Sequence, residues 1–295
     1  MNQISQVAIV GGTHGNELIG VYLIKKFKQF PDLIKRPSFK TLSLLANPRA
    51  FEAGRRYIET DLNRCFNIQD LNTPMLIQYE QLLAKVIYQQ LQKSQVDFLI
   101  DLHSSTANMG LTILLGNDHP FNLRLAAYLC SINSSVRVLQ TKSTQKNNRL
   151  RSISELGITI EVGPVAQGVL DAGLFHKTEK LIAAILDYLE QYNQNQAPQS
   201  PGTLTLYYPL ESIDFPRNEA GEILGMIHPS LEGNDYLALN PGEQMFVNFD
   251  GSVVVYQGKT TVYPVFINES AYWEKGIAMY LTSKQQLNCS KNFEA

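Results

Sequence analysis

The spacing of hydrophobic and polar residues over the first two thirds of the chain follows two alternating patterns. Short, nearly continuous apolar runs predict buried strands, and segments with apolar residues three and four positions apart predict helices. The predicted strands are 6–10, 40–45, 96–102 and 157–162, and the predicted helices are 17–30, 73–91, 121–130 and 172–192. Strands separated by helices are typical of β-α-β units. We therefore expect an α/β fold, with a mostly parallel sheet flanked by helices on both faces.

The pattern changes after a polar, proline-containing segment at residues 193–202. Beyond it, β-prone runs are separated by turns such as Asp250-Gly251. The strands predicted here are 203–208, 244–249, 252–256 and 261–267. We therefore expect two domains, a larger α/β domain over residues 1–196 and a smaller β domain over residues 197–295. The polar residues from 283 onward are expected to be loosely held.

The composition mainly excludes certain classes of protein. The chain has 295 residues and a formal net charge of −2. It has no basic tract, which argues against a nucleic-acid partner bound through phosphates. It has no run of 18 apolar residues and no signal-peptide pattern at its start, and its three cysteines are too few for a disulfide framework. We expect a cytoplasmic protein with no membrane or nucleic-acid partner. A homo-oligomer is compatible with the sequence.

Two of the five histidines follow predicted strands directly. His14 lies in a glycine-containing turn after the first strand, with Glu17 three residues further on, where their side chains can converge. His103 follows strand 96–102, and is therefore expected at the same edge of the sheet. Each residue alone is as consistent with a capping or core role. Together, two imidazoles and a carboxylate with an open fourth position are typical of catalytic zinc, so we predict one Zn²⁺ per chain.

Two carboxylates lie near this predicted zinc site. Asp101, two residues before His103, is a candidate to orient an imidazole through a hydrogen bond. Glu161 lies at the end of the apolar strand 157–162. A carboxylate there is costly to bury unless it is paired or functional. Glu161 is therefore either a general base for a metal-activated water or a glutamate at an exposed strand end.

The segment 47–64 has little helical or strand periodicity and carries several cations. Its arginines are Arg49, Arg55, Arg56 and Arg64. Arginine binds carboxylates in a bidentate manner, so this loop is a candidate to bind an acidic substrate. The alternative is a solvated loop, in which these arginines pair with the acidic residues of the same segment.

Several short motifs occur in one order along most of the chain. They are residues 12–17 (GTHGNE), 47–50 (NPRA), 56–57 (RY), 61–64 (DLNR), 101–103 (DLH), 160–164 (IEVGP), 227–229 (IHP) and 264–272 (PVFINESAY). In sequence, order and approximate spacing they resemble the aspartoacylase/succinylglutamate desuccinylase family of zinc carboxypeptidase-like hydrolases. The resemblance implies a zinc-carboxypeptidase-like catalytic domain, followed by a β domain that narrows access to the site.

The resemblance also implies roles for individual residues. His14, Glu17 and His103 would hold zinc, and Glu161 would act as general base and then as general acid. The further implied residues are Arg56, which would polarise the scissile carbonyl, Asn63 and Arg64, which would bind a substrate carboxylate, Arg151, a second substrate arginine, and Tyr272, reaching in from the β domain. Where the family has a tyrosine four residues before that second arginine, this sequence has Asn147.

The function implied by the resemblance is that of a zinc-dependent aspartoacylase. Such an enzyme hydrolyses the amide bond of an N-acyl-L-aspartate, such as N-acetylaspartate, to a carboxylate and L-aspartate. The alternatives are a deacylase for succinylglutamate or for N-acyl aromatic amino acids and, less favoured, a metallocarboxypeptidase. A zinc-binding protein without catalytic activity is disfavoured, because base, cations and metal ligands occur together.

Overall fold

The computed structural model describes residues 3–73, 76–141, 148–199 and 202–288. The strands in these ranges are β1 Gln6–Gly11, β2 Lys40–Leu45, β3 Phe98–Ser104, β4 Gly110–Leu115, β5 Val136–Gln140, β6 Leu156–Gly163, β7 Thr203–Ile213, β8 Gly225–Ile227, β9 Gln244–Asn248, β10 Val253–Val255, β11 Tyr263–Val265 and β12 Met279–Asn288. The α-helices are α1 Leu18–Gln29, α2 Pro48–Glu52, α3 Ile68–Leu71, α4 Tyr79–Lys93, α5 Pro120–Ile132 and α6 Ala172–Asn193. None of these helices combines the length and the hydropathy needed to cross a membrane.

A nine-stranded sheet forms the centre of the molecule, in the order β11-β12-β7-β5-β4-β6-β3-β1-β2. Strands β2, β1, β3 and β6 run parallel to one another. Strand β4 is antiparallel to β6 but parallel to β5. The predicted α/β class with a mostly parallel sheet is confirmed.

Helices cover both faces of this sheet. Successive side chains of each strand point to opposite faces, so a continuous apolar strand contributes to the core on both sides. In β1, Ile9 belongs to the same hydrophobic cluster as Phe27 of α1, and that cluster also includes residues of α5 and α6. The preceding residue, Ala8, belongs to a separate cluster with Ile87 of α4. Burial on both faces explains why these strands appear in the sequence as continuous apolar runs.

The strands after residue 202 are divided between two sheets. Strand β7 pairs with β5 through Tyr207 and Leu139, and β12 and β11 then extend the central sheet in antiparallel fashion. Strands β10, β9 and β8 form a separate three-stranded sheet. The C-terminal part of the chain therefore packs directly beside the strands that precede it. This brings its loops to the same edge as the predicted zinc site.

The sequence missed several elements. Strands β4, β5, β8 and β12 were not predicted, and α4 begins at Tyr79 rather than near residue 73. The expectation of a loosely held end from residue 283 was wrong for residues 283–288, which form the second half of β12 and pair with β7. Backbone hydrogen bonds hold this strand although most of its side chains there are polar and exposed. Residues 289–295 lie outside the described ranges.

Candidate active site

The three predicted metal ligands meet at the carboxyl ends of two neighbouring strands. His14 Nδ1 lies 2.5 Å from Glu17 Oε1, and His103 Nδ1 lies 3.0 Å from Glu17 Oε2. One ligand atom from each residue lies within 4.8 Å of the others, and all three side chains are buried. The register explains the proximity, because β1 and β3 are paired in parallel up to Gly11 and Leu102, immediately before the ligands.

Two glycines shape the turn that carries His14 and Glu17. Gly12 has φ +69°, in the left-handed region that favours glycine. Gly15 lies against helix α2, where a Cβ atom would come within 2.2 Å of the Ala50 carbonyl carbon. The backbone N–H of Gly15 also donates to the carbonyl of Arg56 at 3.1 Å. The turn is therefore fixed against the loop that carries the cations.

Both imidazoles have the same arrangement of partners. Nδ1 of each faces Glu17, and Nε2 of each faces a further carboxylate: Asp61 Oδ1 lies 3.0 Å from His14, and Asp101 Oδ2 lies 3.0 Å from His103. The predicted contact of Asp101 is confirmed, whereas the contact of Asp61 was missed. Imidazoles that donate one N–H to a carboxylate and direct the other nitrogen to a common centre are typical of metal sites. This donor set fits a divalent ion.

The charges in this cluster are strongly coupled. Burial would raise the pKa of Glu17, but His14 and His103 beside it hold that pKa well below its usual value. Burial would lower the pKa of His103, but Asp101 and Glu17 raise it well above its usual value. A carboxylate that stays ionised between two imidazoles is suited to bind a cation at this position.

Glu161 lies beside the ligand cluster, on β6. It is directly opposite His103 in the parallel pairing of β3 and β6, and its side chain lines the same cavity. Burial raises the pKa of Glu161 to about 8. A carboxyl group with a raised pKa at the edge of a cavity is suited to accept and return a proton near neutral pH.

The loop that carries the arginines is more ordered than its sequence suggests. Helix α2 begins at Pro48, capped by the Asn47 side chain, which accepts from Ala50 N at 3.2 Å. The fully buried Glu80 of α4 accepts from the backbone N–H groups of residues 58, 59 and 60, at 2.7, 3.1 and 3.1 Å, and from the Asn47 amide. This buried carboxylate, which the sequence did not single out, fixes the loop between Arg56 and Asp61.

The structure brings two of the four arginines of this loop into the cavity. Arg56 Nη1 donates to Glu17 Oε1 at 2.9 Å, and Arg64 lines the cavity next to Asn63. Arg49 instead stacks over the ring of Tyr79, and Arg55 is exposed. The carbonyl of Asn63 accepts from Arg64 Nη1 at 2.9 Å, so these two neighbours form one polar surface.

The C-terminal part of the chain contributes a second wall. Tyr272 lines the cavity from a short 3₁₀ helix, Ser270–Lys275, and packs against Phe266 and Tyr280. The buried Glu269 caps this helix and also accepts from Thr106 N at 2.7 Å and from the Ser105 hydroxyl, in the loop after β3. The apolar lining residues from the C-terminal part of the chain are Pro209, Val265, Phe266 and Ala271, and Leu114 of β4 and Leu139 of β5 line the cavity as well.

The structure does not bring Arg151 to the cavity. Its guanidinium donates to the Leu114 carbonyl at 3.3 Å and to Thr141 Oγ1 at 2.9 Å. It lines a separate pocket beside Gly116. The cation that reaches the cavity from this segment is Arg149, two residues earlier. Asn147 lies outside the described ranges.

Two family models match the chain. The succinylglutamate desuccinylase/aspartoacylase catalytic domain matches residues 3–189, and the AstE/AspA barrel-sandwich hybrid domain matches residues 202–284. The chain belongs to the succinylglutamate desuccinylase/aspartoacylase family. The resemblance found in the sequence motifs is confirmed. The family is one of metal-dependent hydrolases, in agreement with the group formed by His14, Glu17 and His103.

Relatives of this family align over nearly the whole chain. A probable aspartoacylase of a Nostoc species is 56% identical over 98% of this chain and 100% of its own length. The human N-acyl-aromatic-L-amino acid amidohydrolase (carboxylate-forming) is 38% identical over 95% of this chain and 91% of its own. The crystal structure of murine aminoacylase 3 superimposes with a TM-score of 0.91, at 38% identity, covering 98% of each chain. The first two names describe amide hydrolases that differ in the amino acid released.

Proposed function

We propose that this protein is a zinc-dependent deacylase that hydrolyses N-acyl-L-aspartate, with N-acetylaspartate as its substrate. The observation that carries the proposal is the convergence of a His-Glu-His group, the buried Glu161 and the arginines Arg56 and Arg64 in one cavity. The 56% identity to a probable aspartoacylase supports aspartate as the amino acid.

The residues that would hold the metal are His14, Glu17 and His103. A zinc ion bound there would polarise the substrate carbonyl and lower the pKa of a water molecule. Asp61 and Asp101 accept hydrogen bonds from the Nε2 atoms of the two imidazoles and thereby keep both Nδ1 atoms directed at the centre.

Glu161 would carry the proton through the reaction. It accepts a proton from the attacking water as the oxygen–carbon bond forms, and it returns this proton to the nitrogen as the carbon–nitrogen bond breaks. Its buried position favours the protonated form, which makes it an effective acid in the second step. The products are then a free carboxylate and the amine of L-aspartate.

Arg56 would stabilise the charge that develops on the carbonyl oxygen. Its contact with the buried Glu17 places the guanidinium beside the ligand cluster, and its side chain is only 17% exposed, which limits the competing effect of water. A positioned donor of this kind contributes roughly 100- to 1,000-fold to kcat in comparable sites. Asn63 and Arg64, further along the same wall, would bind a carboxylate of the substrate.

Residues 1–196 would form the catalytic domain, and residues 197–295 would restrict access to the site. Tyr272 supports this division of roles, because it lines the cavity from the C-terminal part of the chain. Its position opposite the arginine loop would confine the substrate to a small N-acyl amino acid.

One feature favours a second candidate, an N-acyl aromatic amino acid. Part of the cavity lining is apolar, including Leu114, Leu139 and Val265, and could accept an aromatic side chain or a longer acyl group. The 38% identity to an N-acyl-aromatic-L-amino acid amidohydrolase points the same way. The arginines in the cavity favour the acidic substrate.

The test is release of acetate from N-acetyl-L-aspartate by purified, zinc-loaded protein. Release that a chelator abolishes and added zinc restores is the expected result. The comparison substrates are N-succinyl-L-glutamate and N-acetyl-L-phenylalanine. Faster turnover of either comparison substrate would overturn the choice of aspartate, and turnover unaffected by complete zinc removal would overturn the metal mechanism.

A further inference from the structure

The C-terminal wall of the cavity is held by a carboxylate that lies outside the cavity. Asp235, between β8 and β9, is 8% exposed and does not line the cavity. We infer that Asp235 is a positioning residue for substrate binding, because its carboxylate joins the loop 266–269 to the loop 105–109 and thereby holds Phe266 and Tyr272 at the cavity. The inference rests on the proposed function, since it names a residue that supports recognition of the substrate at the same site.

The two oxygens of the Asp235 carboxylate have separate partners. Oδ1 accepts from the backbone N–H of Ile267 at 3.1 Å, and Oδ2 accepts from the backbone N–H of Asn108 at 3.1 Å. One side chain therefore bridges the loop of the C-terminal wall and the loop that follows β3. A buried carboxylate is costly unless it is hydrogen-bonded, so separating the two loops would leave this group without one of its partners.

The residues next to Asp235 are bound to the same two parts of the chain. The carbonyl of Gly233 accepts from Asn108 Nδ2 at 2.7 Å, and the N–H of Tyr236 donates to the carbonyl of Pro264 at 2.8 Å. Asp235 thus extends from a segment that is itself fixed on both sides. This gives its carboxylate a defined position from which to hold the Ile267 N–H.

The backbone on either side of Ile267 requires such support. Phe266 has φ +54° and Asn268 has φ +56°, so two residues that carry side chains adopt the left-handed conformation within three positions. Strained conformations of this kind persist only where the surrounding contacts impose them. The N–H that donates to Asp235 lies between these two residues, so this hydrogen bond acts at the centre of the strained loop.

The strained loop sets the position of two aromatic rings. Phe266 lines the cavity, and its ring packs against that of Tyr272 with 5.4 Å between the ring centroids. Tyr272 belongs to the 3₁₀ helix Ser270–Lys275, which begins directly after the loop. Loss of the Asp235 contacts would therefore displace the C-terminal wall and leave the proposed metal ligands, at the ends of β1 and β3, in place.

The first test is the kinetic effect of Asp235→Asn, which keeps the size of the side chain but turns one of its two acceptor oxygens into a donor. The protein is zinc-loaded and the substrate is N-acetyl-L-aspartate. We expect KM to rise about tenfold and kcat to stay within about threefold of wild type, because the wall contacts the substrate and the proposed reacting groups lie elsewhere. Bound zinc should stay at one per chain. An unchanged KM, or a fall in kcat at unchanged KM, would overturn the inference.

The matched control is Asp250→Asn. Asp250 also accepts from a backbone N–H, that of Ser252 at 2.9 Å, but it lies in an exposed turn whose residues do not line the cavity. Its KM should equal that of wild type. The same rise in KM in this control would mean that the effect is not specific to Asp235, and would overturn the inference.

The fluorescence of Trp273 separates the inference from the proposed function. This residue is the single tryptophan of the chain, follows Tyr272 in the 3₁₀ helix and packs against Phe215. Its emission maximum should move to longer wavelength in Asp235→Asn and not in Asp250→Asn, also in a protein that does not turn over N-acetyl-L-aspartate. An unchanged emission spectrum in Asp235→Asn would overturn the inference, also in a protein that does hydrolyse this substrate.

Hydrogen exchange of the backbone amides tests the wild-type protein directly. The amides of residues 266, 267 and 268 all have acceptors, which are Met109 Sδ, Asp235 Oδ1 and the Ala278 carbonyl. They should exchange much more slowly than those of the largely exposed turn 257–260, and about tenfold faster in Asp235→Asn than in wild type. Equally fast exchange of the two segments in wild type would overturn the inference, whether or not the variant folds.

Discussion

The two walls of the cavity are built in different ways. The wall around His14, Glu17 and His103 follows directly from the ends of paired parallel strands, and each imidazole there contacts carboxylates through both nitrogens. The wall around Arg149 and Tyr272 is assembled from a short connection and a 3₁₀ helix that are far apart in sequence. The comparison teaches that the sheet positions the groups proposed to react, whereas connections between the regular elements position the groups proposed to recognise the substrate.

The largest expected effect concerns Glu161 and the stability of the metal-free protein. Its folded-state pKa of about 8 lies above the ordinary value of 4.5, so folding favours the protonated form. That stabilisation is present at low pH and is lost as the pH rises from about 4.5 through about 8. Between pH 5 and 8 it amounts to roughly 4 kcal/mol at 1.36 kcal/mol per unit.

Denaturant unfolding of chelated wild type and Glu161→Gln at several pH values measures this effect. The glutamine variant cannot titrate at this position, so the difference in unfolding free energy between the two proteins should grow in its favour as the pH rises. A constant difference from pH 5 to 8 would mean that Glu161 is not desolvated as the structure shows.

The next effect is on catalysis. Glu161→Gln should lower kcat for N-acetyl-L-aspartate about 1,000-fold, because the amide cannot accept the proton of the attacking water. Bound zinc, measured by atomic absorption, should stay at one per chain. Glu155→Gln, at an exposed position just before β6, is the control and should keep wild-type kcat. Turnover of Glu161→Gln within tenfold of wild type would contradict the role of the base.

A smaller effect is expected from the carboxylates that orient the imidazoles. Asp61→Asn and Asp101→Asn should each weaken zinc binding about 10- to 100-fold, because an imidazole bonded to a neutral amide instead of a carboxylate is a weaker ligand for the metal. Competition with a fluorescent zinc chelator measures the affinity. Asp97→Asn is the control, since Asp97 bonds to backbone N–H groups near the start of β1, away from the cavity. Equal affinities in all three variants would argue against the orienting role.

The smallest effect tests the C-terminal wall. Glu269→Ala leaves Ser105 and the Thr106 N–H without their acceptor and frees the helix that carries Tyr272. We expect about a tenfold loss in kcat/KM, with zinc affinity unchanged. Ser270→Ala, at an exposed position of the same 3₁₀ helix, should behave as wild type. A loss of zinc binding in Glu269→Ala would show that the two walls are not separable.

The same contrast explains what could be predicted from the sequence. Hydrophobic periodicity locates the ends of buried strands, and these are the positions of His14, His103 and Glu161. Asp61 was not recognised as a partner of His14, because in sequence it is one acidic residue in a loop of mixed charge. Arg149 and Arg151 are two residues apart, and which of them reaches the cavity depends on backbone contacts with Asn63 and Phe66 that no local pattern records.

Strand β12 has a consequence for the order in which the molecule is made. The helix with Tyr272 precedes β12, and β12 joins the central sheet through β7, which was synthesised some seventy residues earlier. During translation the metal ligands therefore leave the ribosome well before the wall opposite them exists. The nascent chain passes through a stage in which it has the proposed metal ligands and the proposed base but lacks the C-terminal wall of the cavity. The proposed substrate pocket would be complete only after β12 is released and paired with β7.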